Sequence, residues 1–232
     1  MAEVIRAFSW RIHRNMSLSC GDTRDSLKSR KNFLESFRID YRHLVCAKQA
    51  HGSNVKYVGQ QEKGSGALDY DSAIPDTDAF ITDKPGIPLA VFTADCLPVF
   101  LYDPKNPAIG LVHAGWRSTR QEITAKTIEE MIREFKTDPE DLYVDFGPSI
   151  RCCCYEVEKK FEEYFPLGLK QRDDKYYLDL VEVNKKQAQE KGVRQERMLD
   201  LGLCTSCRGN DFYSFRKEGK DCARLMSVMM LK

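Results

Sequence analysis

The chain has 232 residues, enough to bury one substantial core, and it reads as a single compact unit spanning residues 1–232. Its 36 Lys and Arg against 35 Asp and Glu leave a net charge of +1, which excludes the positive excess that drives binding to nucleic-acid phosphates. Apolar residues at 42% and charged residues at 31% are the proportions of a folded globular protein rather than a disordered one.

Residues 1–6 lack a basic stretch leading into a long apolar run, so no signal peptide is expected. The longest apolar runs, 89–92 and 97–102, fall far short of the roughly 20 residues that span a bilayer. Nine cysteines, an odd number, point to free thiols, metal ligands or catalysis rather than to a disulfide framework. Together these features predict a cytoplasmic protein with no membrane and no nucleic-acid partner, a monomer or a small homo-oligomer.

Leu27, Phe33, Leu34 and Phe37 recur at helical spacing, which predicts an amphipathic helix over 25–37. Short strands follow at 44–47 and 55–58, and the Gly52-Ser53-Asn54 turn between them places His51 at a strand end. The polar stretch 59–76 reads as a surface loop able to cover a site. Buried strands are predicted at 79–82, 88–93, 98–102 and 108–113, with Cys96 between two of them. After His113 the chain turns into a helix with Ile123, Ile128, Met131, Ile132 and Phe135 as its apolar stripe and Ser118 or Thr119 as N-cap. A helix N-terminus at that point offers free N–H groups and a positive dipole end to an anion. A strand at 142–146, helices at 156–164 and 180–191, and late strands at 197–199, 212–215 and 225–231 complete the pattern. Strands and helices intermingle with no regular βαβ period, so the fold class is α+β, with mixed β-sheets layered with helices.

Only four histidines are present, and His51 and His113 stand near glycines, at turns where sites are built. With Cys96 they form a candidate zinc set, since three protein ligands leave the open position of a catalytic site. Their wide separation matches none of the short spacings of zinc fingers. Taken singly, His51 reads equally as a ligand of a turn backbone, Cys96 as an inert buried thiol, and Arg117 as a solvated residue or one stacked on Trp116.

Three motifs carry a resemblance. They are Thr93-Ala94-Asp95-Cys96-Leu97-Pro98, His113-Ala114-Gly115-Trp116-Arg117 and Gln49-Ala50-His51-Gly52, accompanied by Gly147-Pro148-Ser149-Ile150, Cys154-Tyr155-Glu156-Val157 and the tail Phe212-Tyr213-Ser214-Phe215-Arg216. In their order along the chain, Gln49 to Gly52 first, they resemble the YfiH family, described as laccase-like polyphenol oxidases and as purine nucleoside phosphorylases, over nearly the whole chain from Ser17. The resemblance implies a YfiH-like fold, zinc held by His51, Cys96 and His113, and phosphorolysis of adenosine, inosine, guanosine or methylthioadenosine to base and ribose 1-phosphate, with adenosine deaminase activity. Purine nucleosides and phosphate are the partners it implies.

Around that set, Arg117 is the cation best placed for phosphate, Asp95 a residue to orient a ligand or exchange a proton, and Gln49 one to hold substrate or orient His51. Arg30 and Arg216 match arginines of the family pattern and are candidates for phosphate or substrate. Ser118 stands where glycine is usual, narrowing the anion pocket or adding a hydroxyl donor. The tail has Cys222-Ala223-Arg224 where Thr-Gly-Arg is common. Cys152-Cys153-Cys154 and Cys204-Thr205-Ser206-Cys207 are read as packing near the site rather than binding metal.

Three other functions use the same residues. A metal-free cysteine hydrolase would take Cys96 as nucleophile and His113 as base. A non-catalytic zinc-stabilised binding module would need a fourth ligand, for which His43 is the nearest candidate. A copper oxidase of phenols would need a ligand set for each of several coppers, and one Cys with two His do not supply them.

Overall fold

A computed structural model describes residues 3–232. In chain order the elements are β1 (Val4–Phe8), α1 (Thr23–Glu35), β2 (Val55–Tyr57), β3 (Ala79–Thr82), β4 (Leu89–Thr93), β5 (Leu97–Asp103), β6 (Ala108–Ala114), α2 (Trp116–Arg120), α3 (Ile123–Phe135), β7 (Tyr143–Phe146), β8 (Glu156–Val157), α4 (Phe161–Tyr164), β9 (Leu169–Arg172), β10 (Lys175–Leu178), α5 (Leu180–Glu190), β11 (Met198–Asp200), α6 (Phe215–Glu218) and β12 (Leu225–Leu231). They build the expected α+β architecture. A six-stranded mixed sheet runs β11-β7-β5-β6-β3-β2, a three-stranded antiparallel sheet runs β1-β12-β4, and β8-β10-β9 form a small third sheet.

The central strands β3, β5 and β6 of the large sheet are buried along their whole length because both faces are covered. Along β6, Ala108, Val112 and Ala114 pack with Ile123, Ile128 and Met131 of α3 and Val181 and Ala188 of α5. Ile109 and Leu111 point the other way, against Leu89, Val91, Met229 and Leu231 of the three-stranded sheet. The outer face of that sheet is closed by Phe33 and Leu34 of α1, which meet Ala90, Met226 and Val228. Four layers result, α1, small sheet, large sheet and α3 with α5, each buried aliphatic side chain contributing about 1.5–3 kcal/mol. Helix α3 lies so close to β6 that a Cβ on Gly110 would stand 3.2 Å from Leu101 Cδ1 and Met131 Sδ. Among the described residues no helix is long and apolar enough to cross a membrane.

Four predicted elements differ. The 44–47 stretch is no strand but makes isolated bridges, Val45 to Leu89 and Ala47 to Ile74. The helix after His113 is broken in two, because Glu122 takes a left-handed φ of 61° and restarts it as α3; Gly115 caps α2, while Ser118 and Thr119 lie buried within it. Only 161–164 of the predicted helix 156–164 is helical, residues 156 and 157 pairing with β10 instead. Residues 212–215 are not a strand: Phe212 stacks on Trp10 at 4.8 Å, a packing use of aromatics that β-propensity cannot tell from a ladder.

Candidate active site

The site lies where the ends of β4, β5 and β6 meet the turn carrying His51. That turn is organised by Asp78, which precedes β3 and is buried. Its carboxylate accepts the backbone N–H groups of Ala50 (3.1 Å), His51 (3.0 Å) and Gly52 (2.7 Å), holding His51 at a left-handed φ of 58°. Asp78 Oδ1 also receives Nδ1–H of His113 at 2.8 Å, fixing the ring and leaving Nε2 for Cys96 and the cavity side. Burial pushes the Asp78 carboxyl up, but its bond with His113, that residue's charge and the N–H groups of Gly52 and His51 hold it below the ordinary value.

Cys96 follows Asp95, whose φ of 86° turns the chain between β4 and β5. Its Sγ stands 3.8 Å from His51 Nε2, and ligand atoms of Cys96, His51 and His113 all lie within 4.8 Å of one another. The two imidazoles meet edge to face, 4.7 Å between centroids. Burial opposes ionisation of the thiol, yet the charge and hydrogen bonds of His113 and His51 outweigh it and bring Cys96 down to about 6. Reciprocally, burial opposes the charged form of His113, but the Cys96 thiolate and Asp78 raise it to about 9. A cation is the counterpart this arrangement fits. Gly115 leaves the room: a Cβ there would sit 3.0 Å from His51 Cδ2 and 3.1 Å from Cys96 Sγ. His43, the candidate fourth ligand, is exposed in a separate turn and outside the group, so a closed four-ligand site is not formed around this triad.

The triad opens into a cavity of about 570 Å³. Phe92, Trp116, Tyr155 and Phe215 supply aromatic surface, and Arg30, Arg117, Arg216 and Arg224 supply positive charge. Tyr70, Gly66 and Ala73 bring the 59–76 loop to the rim, where the sequence put a cover.

The other predicted residues divide. Arg117 is exposed on α2, stacked 4.4 Å from the Trp116 ring, and has no carboxylate partner among the described residues. Arg216 borders the cavity, anchored by Nη1 to the Glu156 carbonyl at 2.9 Å. Arg30 is buried, with Nε on Met16 O (2.7 Å) and Nη1 on Gly66 O (3.0 Å) and Ala67 O (2.8 Å). Burial lowers its pKa, and among the described residues no carboxylate pairs with it. Gln49 does not touch His51: its amide accepts Phe92 N–H at 2.7 Å and donates to Phe92 O at 2.9 Å, stitching the 49–52 turn onto β4. Asp95 receives Thr205 Oγ1 (2.6 Å), Ser214 Oγ (3.0 Å) and Arg216 N (2.7 Å), so its carboxylate anchors the 205–216 segment rather than standing ready for a proton. Ser118 is fully buried with an unpartnered hydroxyl and is not in the cavity wall, which corrects its assignment to an anion pocket. Helix α2 is only five residues long, so the helix end beside His113 is a single short turn.

Sequence reasoning missed Asp78 and Phe92, and it quoted Tyr155 and Arg224 without giving them a place in the site. An acid just before a strand carries no motif of its own, and only the fold shows that Asp78 serves two candidate ligands at once.

Residues 9–232 match a family model described as "Multi-copper polyphenol oxidoreductase laccase". The chain belongs to this family. It is 32% identical over 216 residues to "Purine nucleoside phosphorylase YlmD" of Bacillus subtilis (strain 168), covering 90% of this chain and 78% of that one. It is 28% identical over 215 residues to "Adenosine deaminase RL5" of an unknown prokaryotic organism, covering 89% and 82%. The crystal structure of Bacillus licheniformis hypothetical protein YfiH superposes with a TM-score of 0.93 at 30% identity, covering 99% of this chain and 93% of that one. The family's description names several coppers, yet among the described residues only two His/Cys/Asp/Glu groups form: this triad, and a cluster of four cysteines with no histidine.

Proposed function

We propose that the chain is a zinc-dependent purine nucleoside phosphorylase that also deaminates adenosine. The observation that carries this reading is a three-ligand centre, His51, Cys96 and His113, at the wall of a cavity lined with arginines and aromatic rings. One thiolate and two imidazoles suit zinc, three protein ligands leave a position open to the cavity, and the carboxylate behind His113 is the partner such a ligand requires. The phosphorylase and deaminase names of its relatives agree with it.

When bound, the ion supplies Lewis acidity at the cavity wall. The chain's own groups do the rest. Phe92, Trp116 and Tyr155 offer flat apolar surface to a purine. Arg117 and Arg216 extend from the rim as a bidentate grip for phosphate, holding it against the ribose. In phosphorolysis the bond from the anomeric carbon to the purine nitrogen breaks with its electrons on the base. A phosphate oxygen closes the new C–O bond, and the departing base takes the proton that the hydrogen phosphate gives up. Asp78 keeps His113 in one tautomer throughout. The substrates proposed are adenosine, inosine, guanosine and methylthioadenosine.

The test is incubation of the purified protein with each nucleoside, with and without phosphate. Base and ribose 1-phosphate are expected only with phosphate, and inosine from adenosine in its absence. Release of free base that ignores phosphate, or a protein without zinc, overturns the reading. The competing reading is a cysteine hydrolase using Cys96 and His113, and zinc retained through purification excludes it by occupying the thiolate.

A further inference from the structure

We infer a second metal site, a structural tetrathiolate zinc site formed by Cys153, Cys154, Cys204 and Cys207 on the far side of the cavity wall. The four sulfurs lie within 4.8 Å of one another, Cys207 standing 3.4 Å from Cys153 and 3.3 Å from Cys154. Thiolates at about 2.3 Å from a tetrahedral zinc sit roughly 3.8 Å apart, so small shifts of these sulfurs would seat the ion. These separations exceed a disulfide bond of about 2.05 Å by more than an ångström, and all nine cysteines are free.

Three features argue for a site built to bind rather than a chance gathering. Cys204 and Cys207 are the two ends of a C-x-x-C turn, closed by Arg208 N–H on Cys204 O at 3.0 Å, and the N–H of Cys207 donates to Cys204 Sγ at 3.4 Å. The opposing pair sits on a turn closed by Cys154 N–H on Arg151 O at 2.8 Å, and the two turns are laid side by side by the bridge between Ser149 and Cys204. Finally, Cys153 and Cys207 are exposed, so an ion has a path in. This revises the sequence-level reading of these cysteines as packing only.

Binding replaces S–H protons by Zn–S bonds and releases the protons to solvent, with no oxidant or reductant involved. The consequence reaches the cavity. Thr205, between two of the ligands, donates to Asp95, and Tyr155, next to Cys154, lines the cavity. The ion would therefore clamp two segments of the substrate wall that few backbone bonds join.

The test is metal content of the full chain purified under reducing conditions, in the double variant His51→Ala/His113→Ala and in the same protein also carrying Cys204→Ser/Cys207→Ser. About one zinc per chain is expected in the first and none in the second. If the serine variants fail to fold, cobalt added to the histidine variant decides, a four-thiolate tetrahedral spectrum being expected. A histidine variant that binds neither zinc nor cobalt, or whose four thiols pair into disulfides under air with zinc present, overturns the proposal. Because the triad is absent from every decisive arm, the outcome is independent of the proposed activity.

Discussion

The two sulfur-bearing clusters are built in opposite ways. His51, Cys96 and His113 come from three remote stretches of chain, brought together by strand register and by the single carboxylate of Asp78. Cys153, Cys154, Cys204 and Cys207 come from two tight turns, half of them exposed, with no acid arranging them. The first is held in place by the strands of the sheets and by the Asp78 carboxylate, which fixes the His51 turn and the His113 ring. In the second, four thiols crowd one another and gain a counter-charge only from a cation. Rigid preorganisation with an open side is what chemistry requires, and a loose set closed by its ion is what a clamp requires.

Breaking the first cluster has the largest expected effect. Cys96→Ser or His113→Ala removes a ligand, and phosphorolysis should fall to background while the thermal transition persists; a rate near wild type would remove the triad from the chemistry. Asp78→Asn tests whether the carboxylate behind the ligands matters as much as they do. Metal affinity, measured by competition with a chelator, should fall roughly 10–100-fold. The partner groups left behind, three N–H donors and the His113 ring, should also lower stability by about 1–3 kcal/mol in denaturant unfolding. Gly115→Ala sharpens the point, since its methyl group enters the triad without touching a ligand atom's chemistry. Its Cβ, 3.1 Å from Cys96 Sγ, should cut turnover about tenfold or more with little change in folding stability. Arg117→Met leaves the centre intact and should raise the phosphate KM roughly tenfold or more at unchanged metal content, as loss of a charged hydrogen bond implies. An unchanged phosphate KM would free Arg117 from that role.

How far the sequence reached follows the same division. His51, Cys96 and His113 were legible as candidates because each sits in one of the three motifs, the two histidines beside a turn glycine, and the α+β class was legible from buried strands among amphipathic helices. Gln49 was legible as a residue of interest but not in its role, since its partner Phe92 is distant in sequence and is a backbone. Asp78 and the break at Glu122 were invisible, because one depends on tertiary approach and the other on a left-handed residue that no propensity marks. The four cysteines were visible one pair at a time; that they converge depends on the bridge between Ser149 and Cys204, a contact no local pattern encodes.

The smallest expected effect belongs to the frame around the second cluster. Arg151, at the start of the turn bearing Cys153 and Cys154, grips Asp200 with two bonds of 2.7 Å, both residues largely buried. Burial alone would raise the Asp200 carboxyl, but Arg151, the Gly202 N–H and Lys185 hold it well below the usual carboxylate range. A carboxylate depressed in the folded state stabilises it above the unfolded pKa of about 3.9 and loses that contribution as pH falls below it. Asp200→Asn should therefore cost about 1–3 kcal/mol at neutral pH, and the difference from wild type should shrink on acidification below about pH 4. If the loop is held chiefly by its metal, the cost at neutral pH should be smaller with zinc bound than after chelation. Equal costs in the two states would show that Arg151 and Asp200 set the turn and that the ion only occupies it.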